Sequence, residues 1–441
     1  MDRHAEYVLR TVEERGVRFV RLWFTDVVGA MKSFSITPAE LENALVDGMS
    51  FDGSAIEGYT RIQEADMLAV PDPNTFEMLP WRGDDAPVAR MFCDVRHLDG
   101  SEFHGDPRTV LKQNLERARE RDYRFFVAPE MEYFYFKDEH STVPLDDAGF
   151  FDLTTQDISS ELRMQTILTL EAMGIPVEYS FHENGPSQHE IDLRYTDALS
   201  MADNVMTFRL AVKEVALANG VHATFMPKPI AGAFGSGMHT HLSLFQGDTN
   251  AFHDTSDEYG LSKTGKAFIA GLLHHAREIT AVTNQTVNSY KRLVAGMEAP
   301  VYVSWARNNR SALVRVPLPK RQNLEATRIE YRAPDPACNP YLAFSLILAA
   351  GLRGIDEGYE LSAEATNNIF EMTDAERHAA DISILPTSLD EALDLMEGSS
   401  LVREALGEHV FEYFLRNKRN EWDDYKVQVT PWELTRFLGN L

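Results

Sequence analysis

At 441 residues the chain is long enough for two or three domains and a large core. With 68 Asp+Glu against 42 Lys+Arg, its formal charge of −26 excludes nucleic acid as a partner, because no surplus of cations exists to neutralise phosphates. Cys93 and Cys338, the only 2 cysteines, are too few for a disulfide framework or a thiolate metal site. A charged start, Met1-Asp2-Arg3-His4, and the absence of an apolar run near the roughly 20 residues that span a bilayer argue against a signal peptide or membrane span. A soluble, cytoplasmic globular protein is expected.

The first hundred residues read as a small α+β unit. Val17 to Phe24 alternates as a strand, Asp26 to Gly29 forms a turn, and Met31 to Ile36 is a second strand. Thr37-Pro-Ala-Glu40 is a helix start with the capping-box spacing. Phe51 to Gly58 reads as a loop and Ala89 to Val95 as a closing strand. The stretch from His97 to Pro107 is rich in Gly, Asp and Pro, which places a boundary near residue 103 and gives domains 1–103 and 104–441. Beyond it, periodicity predicts helices over 108–121, 156–173, 199–219, 263–284, 340–353 and 389–418. The charged stretch Lys418 to Trp422 reads as a solvated helix face.

Between the helices lie strands with ionisable residues two apart. Such residues share one face, about 6.6 Å apart along the strand. Glu130 and Glu132 do so in Ala128–Phe136; Glu190, Asp192 and Arg194 in Gln188–Tyr195; His239, His241 and Ser243 in Gly237–Phe245; and Arg328, Glu330 and Arg332 in the last. One such strand is an ordinary wet sheet face; four in one chain point to a shared cavity. Glu130, Glu132, Glu190 and Glu330, with Glu183 from a preceding loop, would repel one another there unless divalent cations neutralise them. An oxygen-rich donor set with one imidazole favours Mg²⁺ or Mn²⁺ over zinc.

Arg292, Arg310, Arg315, Arg328 and Arg332 fall within a short span and suit phosphates or substrate carboxylates. Metals and arginines without a nucleophilic triad point to phosphoryl transfer. Gly260 to Lys266 mimics a phosphate loop, but Ala267 stands where Ser or Thr must hold Mg²⁺, and no strand precedes it.

With these residues in place, the chain resembles the type I glutamine synthetase family over essentially its whole length. Phe51-Asp-Gly-Ser, Pro129-Glu-Met-Glu132, Gln188-His-Glu190, Gly235-Ser-Gly-Met-His239, Lys291-Arg-Leu-Val294, Asn309-Arg-Ser-Ala312 and Arg328-Ile-Glu330-Tyr-Arg332 follow in family order. The resemblance implies an α+β protein with a small N-terminal β-grasp-like domain. A large catalytic domain follows, built on an antiparallel sheet or half-barrel flanked by helices. It implies an ATP-dependent ligase of nitrogen metabolism that makes glutamine through γ-glutamyl phosphate.

By resemblance, Glu132, Glu183 and Glu190 hold a first metal, and Glu130, His239 and Glu330 a second, with two or three Mg²⁺ or Mn²⁺ per site. Glu178, Tyr195, His241, Ser243, Arg310 and Arg328 contact ATP. Gly235, Arg292, Arg315 and Arg332 contact glutamate or the transferred phosphate. Arg310 assists phosphoryl transfer, Glu298 shields the intermediate, and Asp52 binds and deprotonates ammonium from a neighbouring subunit. A homo-oligomer of two stacked six-membered rings, a dodecamer, is implied.

Two departures concern the acceptor: Phe234 stands where the family has Asn, and Ala295-Gly-Met-Glu298 where it has Pro-Gly-Tyr-Glu. Glutamate–polyamine ligases share the family, so ammonia and a larger amine both stand as acceptors. Phe370 replaces the tyrosine that the family adenylylates, and Arg61 matches an arginine of the alpha-type subgroup linked to feedback inhibition by glutamine.

Overall fold

The computed structural model describes residues 3–54, 56, 58, 66–83, 85–153, 159–309, 311–318, 326–366, 369–380 and 382–441. A helix, Arg3–Glu14, opens the chain; Ala5, Val8 and Val12 recur on one side of it and are buried. The strands Phe19–Thr25 and Met31–Ile36 pair antiparallel around the Asp26 turn, and Phe19–Thr25 pairs parallel with Val88–His97. Asp66–Pro71 and Met49–Asp52 extend this first sheet. The expected loop from Phe51 therefore begins inside a strand. Thr37 sits at the helix N-cap with Pro38 following, but its side chain makes no capping hydrogen bond, so the predicted capping box is absent.

The second sheet runs in the order Tyr302–Ala306, Ala312–Arg315, Ile329–Tyr331, Thr240–Gln246, Arg124–Phe136, Gln188–Leu193, Val177–His182. Along this path its pairings are antiparallel except between the first two strands, and it forms the curled half-barrel of the catalytic part. Burial alternates along the strands as a two-residue period requires. Leu242 and Leu244 face the core while His241, Ser243 and Phe245 are less covered. Similarly, Phe125, Val127 and Met131 are buried and Phe126, Ala128 and Glu130 face the other way.

Helices cover the core side. Pro340–Glu357 is apolar nearly all round and is buried as a central helix. Each fully buried Leu, Ile or Phe there contributes about 1.5–3 kcal/mol by leaving water. Its cap, Asn339, accepts from the amides of Tyr341 and Leu342 at 3.1 and 3.4 Å. The same side chain donates to the carbonyls of Asp26 and Val27, at 3.2 and 3.1 Å, and so grips the turn of the first sheet. Arg108 adds a second tie, pairing with Asp72 at 2.8 Å, Asp94 at 2.5 Å and Asp203 at 3.0 Å.

The predicted 389–418 helix is two helices, Leu389–Glu397 and Ser400–Lys426, and the second bends at Gly407, whose φ of 75° breaks the helical path. Lys418 is 5 % exposed and pairs with Glu421, and Trp422 packs on the core, so this stretch is not a solvated face. The phosphate-loop mimic is the start of helix Lys263–Thr283, capped by the Ser262 side chain on Gly265 N, which removes it as a nucleotide cradle.

Candidate active site

The four charged strands lie in one sheet, and register brings their ionisable residues together. Glu130 pairs opposite Asp192 and Glu132 opposite Glu190, while His241 faces Glu330. His239 lies one residue before its strand, where its carbonyl accepts from Glu130 N at 2.8 Å. Arg315 pairs opposite Glu330.

A cavity of about 390 Å³ is lined by Glu130, Glu132, Glu183, Glu190 and His239. Glu330 lies fully buried beside it, with one donor atom each of Glu130, His239 and Glu330 within 4.8 Å of one another. The sequence-predicted Gly235, Arg292, Arg315, Arg332 and Glu298 line the same cavity. A second cavity, of about 350 Å³, is lined by Glu178, Tyr195, His241, Ser243 and Arg328. Glu130 and Tyr179 line both, so the two chambers share a wall.

The electrostatics are those of a crowded acid cluster. Burial, then Glu183, pushes Glu132 up to about 8. Burial and Asp192 push Glu190 well above the usual carboxylate range, and burial with Glu130 raises Asp192 to about 7. Burial also raises Glu183. Glu130 goes the other way: burial opposes ionisation, but His241 and His239 outweigh it and hold Glu130 well below its ordinary value. Glu330 is also lowered, the cost of burial being outweighed by Arg332. His239, driven to about 4 chiefly by burial and then by Arg332, is a neutral imidazole at pH 7.

Proton positions follow from the partners. Arg328 Nε donates to His241 Nδ1 at 3.2 Å, so the His241 proton sits on Nε2 and donates to Glu130 Oε1 at 2.7 Å. Carboxylates whose charge is disfavoured by burial and then by one another are suited to a divalent cation, which replaces their protons. The oxygen-rich donors with one neutral imidazole fit Mg²⁺ or Mn²⁺.

The arginines divide by role. Arg315 Nε and Arg332 Nη1 both donate to Glu330. Arg292, 2 % exposed, donates to the carbonyls of Ala333 at 2.7 Å and Arg332 at 3.2 Å, so it lends charge to the cavity while bracing the chain behind it. The loop before His239 threads past this guanidinium. A Cβ on Gly237 would lie 2.5 Å from Arg292 Nη2, and one on Gly235 2.5 Å from the Pro227 carbonyl oxygen, so both positions require glycine.

Asp52 is exposed at the end of its strand in the first sheet, accepting from Ser54 N at 2.8 Å, and it lines neither cavity. Arg310, Arg61 and Asn368 lie outside the described residues, as does the side chain of Phe370.

Several residues at the site were not singled out from sequence. Asp192, marked from its spacing as sharing a strand face with Glu190 but given no site role, lines the second cavity. Gln188 Nε2 donates to Glu132 Oε2 and to the Gly235 carbonyl, both at 3.1 Å. Phe150, Phe151 and Phe181 form an aromatic wall on the first cavity with Tyr179, and no local pattern marks them. Behind the cavity, Asp146, His182 and His189 gather donor atoms within 4.8 Å. There Arg163 Nη1 donates to His189 Nδ1 at 2.7 Å, a guanidinium that opposes a second cation, so this cluster serves as internal bracing.

The comparisons with known proteins agree along the chain. The glutamine synthetase beta-Grasp domain family matches residues 16–97, and the glutamine synthetase catalytic domain family matches residues 104–437. A glutamine synthetase of Mycolicibacterium smegmatis is 56% identical over 445 residues, covering 100% of both chains. One of Methanosarcina mazei is 49% identical, covering 99% of this chain and 98% of its own. The solved GmaS/ADP complex superposes with a TM-score of 0.88 at 33% identity, over 98% of this chain and 99% of that one. The Plasmodium falciparum glutamine synthetase shares the fold at 24% identity, with a TM-score of 0.89 over 99% of each chain. Two matches that together run nearly end to end, with full-length relatives at about half identity, establish that the chain belongs to the glutamine synthetase family.

Proposed function

We propose that the two chambers are the glutamate and ATP halves of one ligase site, joined at Glu130. The enzyme is an ATP-dependent glutamate–ammonia ligase, and the full-length relatives of Mycolicibacterium smegmatis and Methanosarcina mazei, both glutamine synthetases at 56% and 49% identity, favour ammonia over the larger amine. The observation that carries the site assignment is the convergence of Glu130, Glu132, Glu183, Glu190 and His239 on one cavity that shares Glu130 and Tyr179 with a second, histidine- and arginine-lined one.

Glutamate's γ-carboxylate is a poor acylating agent because its oxygen leaves badly. Its attack on the γ-phosphorus of ATP forms the new P–O bond as the bond to ADP breaks, giving γ-glutamyl phosphate. Ammonia then attacks the acyl carbon, phosphate departs with the electron pair of the acyl C–O bond, and the proton lost from nitrogen leaves with the phosphate. Glu178, Tyr195, His241, Ser243 and Arg328 hold the nucleotide. Gly235, Arg292, Arg315 and Arg332 face the glutamate end, and Arg310 neutralises the moving phosphoryl group. Glu132, Glu183 and Glu190 would hold one cation, and Glu130, His239 and Glu330 another. Two or three Mg²⁺ or Mn²⁺, when bound, offset the charge between carboxylate and triphosphate. Glu298 belongs to the loop that keeps water from the acyl phosphate.

Asp52, exposed and absent from its own chain's cavities, suits a role at a neighbour's site in a ring. Assembly as a dodecamer is supported by the C-terminal segment, where Trp432 is 65 % and Leu438 78 % exposed. The division at 103/104 is supported by the two separate sheets and by the gap between the two family matches. A cytoplasmic location fits two buried, unpaired cysteines, and among the described residues no helix is long and apolar enough to cross a membrane.

The test is phosphate release with Mg²⁺ or Mn²⁺, ATP and glutamate against a panel of ammonia, methylamine, putrescine and spermine. Release that requires glutamate and is strongest with ammonia is expected. Release with a polyamine but not ammonia would overturn the acceptor, and none with any amine would overturn the ligase.

A further inference from the structure

Glu298 stands on an exposed loop in the left-handed backbone region, at φ 53°, two residues after Gly296 at φ 81°. A glutamate rarely adopts this conformation unless its surroundings hold it there. One side-chain contact does so: Asn184 Nδ2 donates to Glu298 Oε2 at 3.0 Å. The same nitrogen donates to Glu183 Oε2 at 3.1 Å, and Asn184 N donates to that oxygen at 2.7 Å. The two hydrogens of one amide thus bridge two carboxylates. The amide's orientation is forced, since the reverse would set its oxygen against both.

Asn184 is itself presented from a braced hairpin. Asp146 Oδ1 accepts from His182 Nε2 at 3.0 Å and from Ser187 N at 2.9 Å. Ser187 Oγ accepts from Leu145 N at 2.6 Å and Asp146 N at 3.0 Å. The hairpin end is therefore tied at several points, whereas Val294, Ala295 and Gly296 on the opposing loop are exposed.

We infer that Asn184 is a positioning residue that latches the Glu298 loop over the first cavity and ties its position to Glu183. The inference rests on the reading that γ-glutamyl phosphate forms in that cavity. With the latch intact, the acyl carbon meets only ammonia. Without it, water attacks that carbon, the acyl C–O bond breaks, and phosphate leaves with the electron pair. Water's surplus proton passes to solvent, and the net reaction is ATP hydrolysis with glutamate regenerated.

The experiment measures phosphate released per glutamine formed, and glutamate-dependent phosphate release without ammonia, in the full-length enzyme and in Asn184→Ala, Asn184→Asp, Glu298→Ala and Asn184→Ala/Glu298→Ala. Loss of one hydrogen bond to a carboxylate predicts about a tenfold rise in ammonia-free release for Asn184→Ala. Asn184→Asp, which adds a third carboxylate, should leak more. The double variant should leak no more than Glu298→Ala alone. Amide hydrogen exchange across 294–299, read without substrates, should quicken in Asn184→Ala. An unchanged phosphate-to-glutamine ratio with unchanged exchange would overturn the latch, as would equal effects of Ala and Asp. Failure of the unaltered enzyme to make glutamine would overturn the underlying reading, and the latch with it.

Discussion

Replacing Glu132 by Gln should stabilise the metal-free protein above neutral pH while abolishing its activity. Glu132 is 6 % exposed, and burial with Glu183 holds its pKa at about 8 against an ordinary 4.5. A carboxyl whose pKa rises on folding keeps its proton in the fold while the unfolded chain loses it. Stability therefore falls as pH climbs from about 4.5 and levels off above about 8. At about 1.4 kcal/mol per pH unit, an isolated group would lose about 5 kcal/mol across that interval. Protons shared with Glu183 and Glu190 reduce the part that belongs to Glu132 to about 2–3 kcal/mol.

Glutamine fits the same place, because its oxygen can accept from Gly237 N at 2.9 Å and Gln188 Nε2 at 3.1 Å as the carboxylate does. Urea unfolding in EDTA at pH 5, 6.5 and 8 reads the effect. The two proteins should coincide near pH 5 and diverge by about 2–3 kcal/mol at pH 8, with the variant the more stable. Mg²⁺ should then raise the unaltered protein more than the variant, which keeps only the Glu130, His239 and Glu330 ligand set whole. Parallel pH profiles in EDTA would show that Glu132 carries no proton in the metal-free fold and would refute the account of the acid cluster.

Other substitutions probe separate parts of the site. Glu330→Ala should stop turnover and cost about 3–5 kcal/mol, because it strips the shared partner from Arg315 and Arg332. A thermal melt and a phosphate-release rate check it, and an unaffected rate would remove Glu330 from the ligand set. Arg328→Ala frees His241 Nδ1 and opens one wall of the second chamber. The KM for ATP should rise about tenfold and that for glutamate far less, and a larger shift in the glutamate KM would reverse the assignment of the chambers. Phe234→Asn restores a side-chain amide beside the first cavity. It should lower the glutamate KM a few-fold at constant kcat, in initial-rate measurements with ammonia saturating.

Much of the site was legible because period two in a strand is a strong constraint. Glu130 and Glu132, or His241 and Ser243, can share a face only one way once the flanking residues are buried, and Leu242 and Leu244 make that choice plain. Asn184 and the phenylalanines were not legible, since their partners lie far off in the chain: Glu298 is 114 residues from Asn184. The opening helix carries Ala5, Val8 and Val12 at helical spacing, a signal present but short. The merging of two C-terminal helices into one had a physical cause. Apolar periodicity continues across Gly398, and only backbone angles, such as the positive φ of Gly407, show where the axis turns. Lys418 misled because a lysine that reaches a glutamate one turn on can be covered without loss of its charge partner.

The wall that Glu130 shares between the chambers makes their ligands thermodynamic partners. On the proposed assignment, whatever alters the field at Glu130 from the nucleotide side alters it for the amino acid, and linkage requires the reverse effect to be equal in size. A drug built for either chamber would therefore find its affinity set in part by the cellular level of the other chamber's occupant.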